Sequence, residues 1–274
     1  MKISNLIMVT FIFLTLSFTG FFTKDNKGFR MEFIDVGQGD SIYISTPKGN
    51  KILVDGGDNY SVDFEIANLI PFYSCSLDAV ILTHPHYDHL NGLNRIINRC
   101  RISNVMFNDV DFTSRGFSDF KAITRNMNVR NLYEGDEFEI DNVKFKVLWP
   151  TKEFTQSRFD DVNDTSIVLF VDYGDFEAVL LGDAGEEVLG KLDLSSILPL
   201  VDGDFDVIKV SHHGSKYALN KSFYLGLKPK NCVISVGKDN KFGHPDKNVL
   251  DFLQSINCAI LRTDLKGNIV LNVL

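Results

Sequence analysis

The segment THPHYDHLNG (83–92) decides the fold of this chain. It follows LDAVILT (77–83), an apolar run with the length and β-branching of a buried strand. A tight turn at the end of that strand would aim side chains at positions i, i+2, i+4 and i+5 into one cleft, two towards each side. Imidazole and carboxylate groups are the ligands that suit zinc and its neighbours. The pattern therefore predicts two adjacent metals bound by His84, His86, Asp88 and His89.

All six histidines of the chain fall in three short motifs, of which the other two are KVSHHGSKY (209–217) and KFGHP (241–245). Histidines scattered over a surface would not cluster in this way. Burying three histidines and an aspartate within six residues would be costly without a metal, because each needs a hydrogen-bond or charge partner. The clustering therefore favours a metal site over ordinary core or surface histidines.

Two further segments carry candidate ligands. Asp183 ends the apolar run AVLLGDAG, where a carboxylate would either cap the following helix or bridge two cations. Its place between the histidine motifs favours the bridge. His212 and His213 follow the apolar run DVIKV, and adjacent residues on a strand point to opposite faces. One of the pair is therefore expected to bind metal, while the other orients substrate or donates a proton to a leaving group.

Composition limits the classes of function. The chain has 274 residues, 44% of them hydrophobic, which is enough for the core of one large domain. Its formal net charge of −8 argues against broad, salt-driven affinity for nucleic acid or anionic membranes. A small polyanionic substrate remains compatible, because bound metal ions invert the local electrostatics.

Residues 1–27 contain an apolar run over about residues 5–22, followed by a polar stretch. This segment is typical of a secretory signal peptide or an uncleaved membrane anchor, and both predict export. No clear small-residue cleavage site precedes Lys24, so removal of the leader stays open. We expect contact with the membrane through this segment alone, and the sequence indicates no protein partner.

The four cysteines avoid the CxxC spacing of a structural zinc site. Each precedes an apolar, strand-like run. Cys75 with Cys100, and Cys232 with Cys258, would form disulfides after export if those strands are parallel neighbours, whereas four reduced, buried thiols are the equal alternative.

Apolar runs separated by turn residues predict strands first and helix–strand alternation later. Hairpins followed by βα units, with polar residues at strand ends, predict two sheets covered by helices. The predicted strands are 30–36, 41–46, 51–57, 77–83, 104–109, 144–150, 166–172, 176–183 and the runs FDVIKVS, CVISVG and AILRTD. The predicted helices are 63–70, 90–99, 117–126, the segment GEEVLGKL, 220–227 and 248–256.

The ordered motifs carry a family resemblance over about residues 30–270. THPHYDHLNG resembles the HxHxDH signature of the metallo-β-lactamase superfamily. FIDVGQGDSIYI, ILVDGG, DTSIVL, LLGDAG, IKVSHHGS and GHP, in that order, are similar to the metallo-hydrolase domain of the competence protein ComEC and its free-standing relatives. The resemblance implies an α/β fold of four layers, an αββα sandwich, with a dinuclear metal site in a single catalytic domain over residues 28–274.

Carried over residue by residue, the resemblance implies one metal on His84 and His86 and a second on Asp88 and His89. Asp183 would bridge the two. Similarity to phosphorylcholine esterases of this fold favours His213 as a ligand of the second metal and His212 as a substrate-facing catalytic group beside Asp88. Residues expected to support the ligands or to contact substrate are Asp35, Asp55, Asn163, Ser215 and His244.

One departure from the superfamily concerns the first metal. The superfamily commonly has another histidine before the bridging aspartate, but no histidine lies between His89 and His212 here. Asn163 and Asp164 occupy the corresponding region. The first metal would then have two imidazoles and the bridge, leaving room for water or a substrate oxygen.

These residues predict an exported hydrolase with two divalent metals, zinc or alternatively manganese, in which a bridging hydroxide attacks the substrate. The favoured substrates are phosphodiesters, either DNA or another small or polymeric phosphoester. Lactone or β-lactam hydrolysis is the alternative enzyme class, and a non-catalytic DNA-handling module is the alternative outside enzymes. The chain has no GxSxG or GKS/T motif, so serine hydrolase and nucleotide-loop chemistry have no support.

Overall fold

Two seven-stranded sheets lie face to face in the computed structural model, which describes residues 28–58, 60–201 and 205–273. The predicted leader at 1–27 lies outside these residues. The first half contains β1 (Phe29–Phe33), β2 (Ile42–Ser45), β3 (Lys51–Val54), α1 (Ser61–Leu69), β4 (Ser76–Leu77), β5 (Ala79–Ile81), α2 (Tyr87–Arg99), β6 (Arg101–Ile102), β7 (Val105–Phe107), α3 (Arg115–Thr124) and β8 (Val129–Asn131). The second half contains β9 (Glu137–Ile140), β10 (Val143–Trp149), α4 (Lys152–Gln156), β11 (Val168–Tyr173), β12 (Phe176–Leu180), α5 (Glu186–Lys191), β13 (Val207–Lys209), α6 (Lys221–Leu227), β14 (Asn231–Ile234), α7 (Lys247–Ser255), β15 (Ala259–Arg262), α8 (Thr263–Lys266) and β16 (Ile269–Val273).

Each sheet combines antiparallel hairpins with a parallel part. The first sheet has the order β16-β1-β2-β3-β5-β7-β8, and its strands are parallel from β3 onwards. The second has the order β15-β14-β13-β12-β11-β10-β9 and is parallel from β12 to β15. Parallel strands end at one edge of a sheet, so the segments after β5, β12 and β13 emerge beside their neighbours there.

Apolar side chains from the inner faces of both sheets form the central core, which includes Phe33 of β1 and Phe145 of β10. The outer face of the first sheet is covered by α1, α2 and α3, whereas α5, α6 and α7 cover the second. All five residues of β12 are buried, as expected for a strand covered on both faces. These layers confirm the predicted αββα sandwich.

Two disulfides join neighbouring parallel strands. Cys75 and Cys100 are bonded beside the β4–β6 pair, and Cys232 is bonded to Cys258 beside the β14–β15 pair. Of the two alternatives open from sequence, the structure has the bridged one.

Four strands lie outside the predicted set, namely β6, β8, β9 and β16. β8 is exposed along its whole length and β9 is partly exposed, so neither has an apolar run. β16 alternates buried and less buried residues and pairs with β1, bringing the chain back to the first sheet. In the part of the chain that the structure describes, no helix has the length and apolarity needed to cross a membrane.

Candidate metal centre

The histidine-rich turn after β5 divides its side chains between a loop and a helix. His84 and His86 precede α2, whereas Asp88 and His89 lie in its first turn. The helix therefore begins inside the motif, three residues earlier than the sequence predicts. His89 is fully buried and Asp88 is partly exposed, so the first turn presents one ligand to the interior and one to the cleft.

Ligand atoms of Asp88, His89 and His213 form a compact group, which we call the second position. Together with one oxygen of Asp183, these atoms all lie within 4.8 Å of one another. Asp183 Oδ2 lies 3.3 Å from His89 Nε2 and 3.4 Å from His213 Nε2. His213 Nε2 also lies 3.3 Å from Asp88 Oδ2. The structure thus brings together four of the predicted ligands, two from the first turn of α2 and two from the loops that follow β12 and β13.

His84 and His86 form the first position, next to this group. The His84 ring centroid lies 4.2 Å from that of His89 and 5.0 Å from that of His86. His84 is buried, and burial lowers its pKa well below the ordinary value. A neutral imidazole is the form that binds a metal.

Asp55 orients His89, one of the ligands of the second position. Its Oδ2 lies 2.7 Å from His89 Nδ1 and accepts the hydroxyl proton of Thr83, while its Oδ1 accepts the Thr83 N–H. This contact orients the His89 ring with Nε2 towards Asp183. Carboxylate partners of this kind fix the tautomer of ligating histidines.

His212 and His213 lie in a left-handed turn and not on a strand, since β13 ends at Lys209. Their φ angles are 48° and 53°, a costly conformation that clusters at functional sites. His213 Nδ1 donates to the Ser235 carbonyl at 2.9 Å, leaving Nε2 towards Asp183. The His212 side chain is 28% exposed, with Nε2 3.9 Å from Asp183 Oδ2. The two side chains differ in direction because of this turn. The sequence analysis expected a difference for another reason, the alternation of faces along a strand, and that reason was wrong.

Asp40 and Lys209 are site residues that the sequence analysis missed. Both are fully buried, and Lys209 Nζ lies 2.6 Å from Asp40 Oδ2. The second oxygen of Asp40 lies 3.4 Å from His213 Nδ1. Gly39 lets the loop before Asp40 pack closely against the start of α2, because a Cβ there would lie 1.8 Å from the Asp88 carbonyl oxygen. A lysine at the end of an apolar strand was the signal available in the sequence.

Metal ions fit this donor set. Four buried ligand atoms have no hydrogen-bond partner in the described part of the chain: Nε2 of His84, His89 and His213, and Oδ1 of Asp183. Burial opposes a charge on His89, yet Asp183 and Asp55 raise its pKa well above the ordinary value. The cluster therefore attracts positive charge, and imidazole with carboxylate is a donor set for zinc or manganese.

A cleft of about 240 Å³ opens onto four of the predicted ligands, His86, Asp88, Asp183 and His213. Asn163 lines it, and its buried Oδ1 has no hydrogen-bond partner among the described residues. His244 lies at the cleft with its ring 5.8 Å from that of His212, and Phe242 lies at the rim. Gln38, also in the wall, was missed by the sequence analysis.

Three other residues of the sequence analysis have local structural contacts. Asp164 accepts the N–H of Gly185, the residue that precedes α5. The carboxylate at the start of this helix is therefore Asp164 and not Asp183. Ser215 accepts the Tyr217 N–H. Asp35 accepts the Gly37 N–H and shapes the loop that leads to Asp40.

Comparisons with known proteins agree with this geometry. Residues 34–230 match the model of the metallo-beta-lactamase superfamily. The chain is 30% identical to ComE operon protein 3 of Bacillus subtilis, over 87% of this chain and 32% of that protein. It is 25% identical to competence protein ComA of Neisseria gonorrhoeae, over 85% and 30% respectively. The chain thus spans about a third of the length of these curated relatives.

Among solved structures, the metallo-beta-lactamase fold protein YhfI from Bacillus subtilis superposes with a TM-score of 0.59. It is 12% identical, and the match covers 90% of this chain and all of that one. This likeness concerns the fold. With the match to the family model, it confirms the family resemblance, and the chain belongs to the metallo-beta-lactamase superfamily.

Proposed function

We propose that this chain is a dinuclear metal-dependent hydrolase that cleaves phosphodiesters outside the cytoplasm. The observation that supports this most directly is the set of buried ligand atoms without hydrogen-bond partners on His84, His89, His213 and Asp183, of which Asp183 and His213 line the cleft. Two divalent cations there would lower the pKa of water and offset the charge that develops on phosphoryl oxygens.

The residues of the chain supply the remaining functions. Asp88 is the partly exposed carboxylate of the group, with 25% of its side chain accessible, so it reaches the cleft and holds a proton of the attacking water. His212 lines the cleft with its Nε2 3.9 Å from Asp183 Oδ2, and it donates a proton to the leaving oxygen.

The walls of the cleft favour a phosphoryl group. Gln38 provides amide N–H groups, and His212 and His244 provide imidazole N–H groups. Such donors match the oxygens of a tetrahedral phosphate. The similarity to ComE operon protein 3 supports a polymeric phosphodiester such as DNA, which stays a proposal because the chain spans only 32% of that protein.

The two disulfides support action outside the cytoplasm, because disulfides persist in oxidising compartments. The predicted leader at residues 1–27 supports the same location. Cell fractionation followed by alkylation of free thiols tests this part. Cytoplasmic protein with four reactive thiols would contradict it.

The enzymatic proposal is tested with the purified chain loaded with zinc or manganese. Substrates are single-stranded DNA, double-stranded DNA, phosphorylcholine esters and lactones. We expect metal-dependent hydrolysis of a phosphoester that is lost on chelation. Hydrolysis of lactones with intact phosphoesters would instead favour the carbon–oxygen ester alternative.

A further inference from the structure

A second cavity adjoins the metal centre across His86. Its volume is about 600 Å³, and it lies between the first turn of α2, the segment before α3 and the start of α3. His86 lines this cavity and the cleft, so a ligand could occupy both. The residues that matter to the argument are His86, Tyr87, Leu90, Phe112, Arg115 and Asp119.

Two aromatic rings give the cavity flat apolar walls. The Tyr87 side chain is 65% exposed and lines the cavity one residue from the predicted ligand Asp88, so its ring is available to a ligand there. Phe112 approaches the His86 ring edge-on, with a centroid separation of 6.1 Å. Leu90 is buried beneath the cavity. These surfaces suit a planar ring that stacks.

Polar groups of the cavity are few and mostly engaged. Asn91 donates to the Asp58 carbonyl at 2.6 Å, and the Ser114 hydroxyl accepts the Phe117 N–H. A sugar would need many hydrogen bonds that these groups do not offer, since buried hydroxyls without partners are costly. The wall therefore favours stacking over recognition of a carbohydrate.

Arg115 provides a positive charge at the mouth. Its side chain is 97% exposed and lies 4.0 Å from Asp119, a loose surface pair that contributes little. The guanidinium is thus able to turn towards a phosphate. Its charge also disfavours a quaternary ammonium ligand, which the aromatic rings alone would accept.

We propose that this cavity binds an unpaired nucleobase of the nucleotide next to the scissile phosphate, stacked on Tyr87 and Phe112, with Arg115 contacting the following phosphate. The inference rests on the proposed function and specifies its substrate class as single-stranded nucleic acid. Bases in a duplex have both faces stacked and cannot enter without unpairing.

Equilibrium binding of a fluorescent single-stranded thymidine oligonucleotide with hydrolysis-resistant phosphorothioate linkages to the full, metal-loaded chain tests the subsite. Tyr87→Ala should weaken binding by about fivefold or more, the loss of one base stack. Tyr87→Phe should bind within about twofold of the wild type, since it keeps the ring. An abasic oligonucleotide of equal length should be insensitive to Tyr87→Ala.

Tyr73→Ala is the matched control, because its side chain is 87% exposed and outside both cavities. Equal losses for Tyr73→Ala and Tyr87→Ala, or no binding by the wild type, would overturn the subsite. So would Tyr87-dependent binding of choline that is tighter than that of the oligonucleotide. Absence of phosphodiester hydrolysis by the metal-loaded wild type is a separate result, which would overturn the proposed function whatever the binding measurement shows.

Discussion

The two positions of the metal centre differ in how firmly the protein holds them. At the second position, His89 is oriented by Asp55 and His213 by the Ser235 carbonyl, and every supporting atom is buried. At the first position, His84 is buried but His86 is partly exposed and packs against Phe112. Because fixed ligands lose less entropy on binding, the second position should bind metal more tightly.

The largest effect is expected from Asp183→Asn, because Asp183 contacts the histidines of the second position and faces His212 as well. The amide keeps the shape but removes the charge that both metals need. Metal content after dialysis, measured by elemental analysis, should fall from about two per chain to below one, and hydrolysis by on the order of 10³-fold or more. Asp251→Asn, on the exposed face of α7, is the control. Retention of two metals would remove Asp183 from its bridging role.

Support of the second position is tested by Lys209→Met. This change leaves the Asp40 carboxylate buried without its cation, which should lower the free energy of unfolding by about 3–5 kcal/mol. Denaturant titration measures the loss. The double variant Lys209→Met with Asp40→Asn should recover part of it, because no charge is then left unpaired. Independent, additive losses would show that the ion pair does not act as a unit.

Asp88→Asn separates catalysis from binding at the second position. His89, His213 and Asp183 remain, so the metal should still bind when supplied at saturation. Turnover should fall by about 10²-fold, because the amide no longer holds the proton of the attacking water. Steady-state rates at increasing metal concentration make the measurement. Full recovery of turnover at high metal would mean that Asp88 acts as a ligand only.

The smallest expected effect is on the difference in metal affinity between the first and second positions. Chelator titration should release metal in two phases, with activity lost in the first, since the first position has the less buried ligands. Asn163→His places an imidazole in the cleft wall. This ligand should raise the metal affinity of the first position by about tenfold, so that the two phases of release come closer together. Turnover should become slower. Isothermal calorimetry measures both affinities. A single phase in the wild type would contradict the comparison.

Much of the fold is predictable from local patterns. The runs at 51–57 and 77–83 are apolar and β-branched because their strands are covered on both faces, and they occur as β3 and β5. The exposed strand β8 has no such pattern, and its place at the sheet edge depends on pairing with β7. Edge strands of this kind follow tertiary contacts more than their own sequence.

The metal centre, like the fold, is predictable only in part from local sequence. Spacing alone indicates metal chemistry at His84, His86, Asp88 and His89, because so many ligand groups in six residues have no inexpensive alternative. Spacing does not separate Asp183 from Asp164 as the carboxylate near α5. The fold assigns Asp164 to the Gly185 N–H and leaves Asp183 facing the histidines.

The sequence by itself determined the ligand types, their order and the alternation of strands and helices, since these depend on side-chain chemistry and periodicity over a few residues. Only the tertiary structure decided that Lys209 meets Asp40 and that His213 turns towards Asp183. The first contact joins β13 of the second sheet to the loop between β1 and β2 of the first, and the second joins the loops that follow β12 and β13. The turn at His212 and His213 uses left-handed backbone angles that surrounding packing must enforce. Local propensity carries no information on such contacts, because their energy exists only once strands distant in sequence have paired and the sheets have packed.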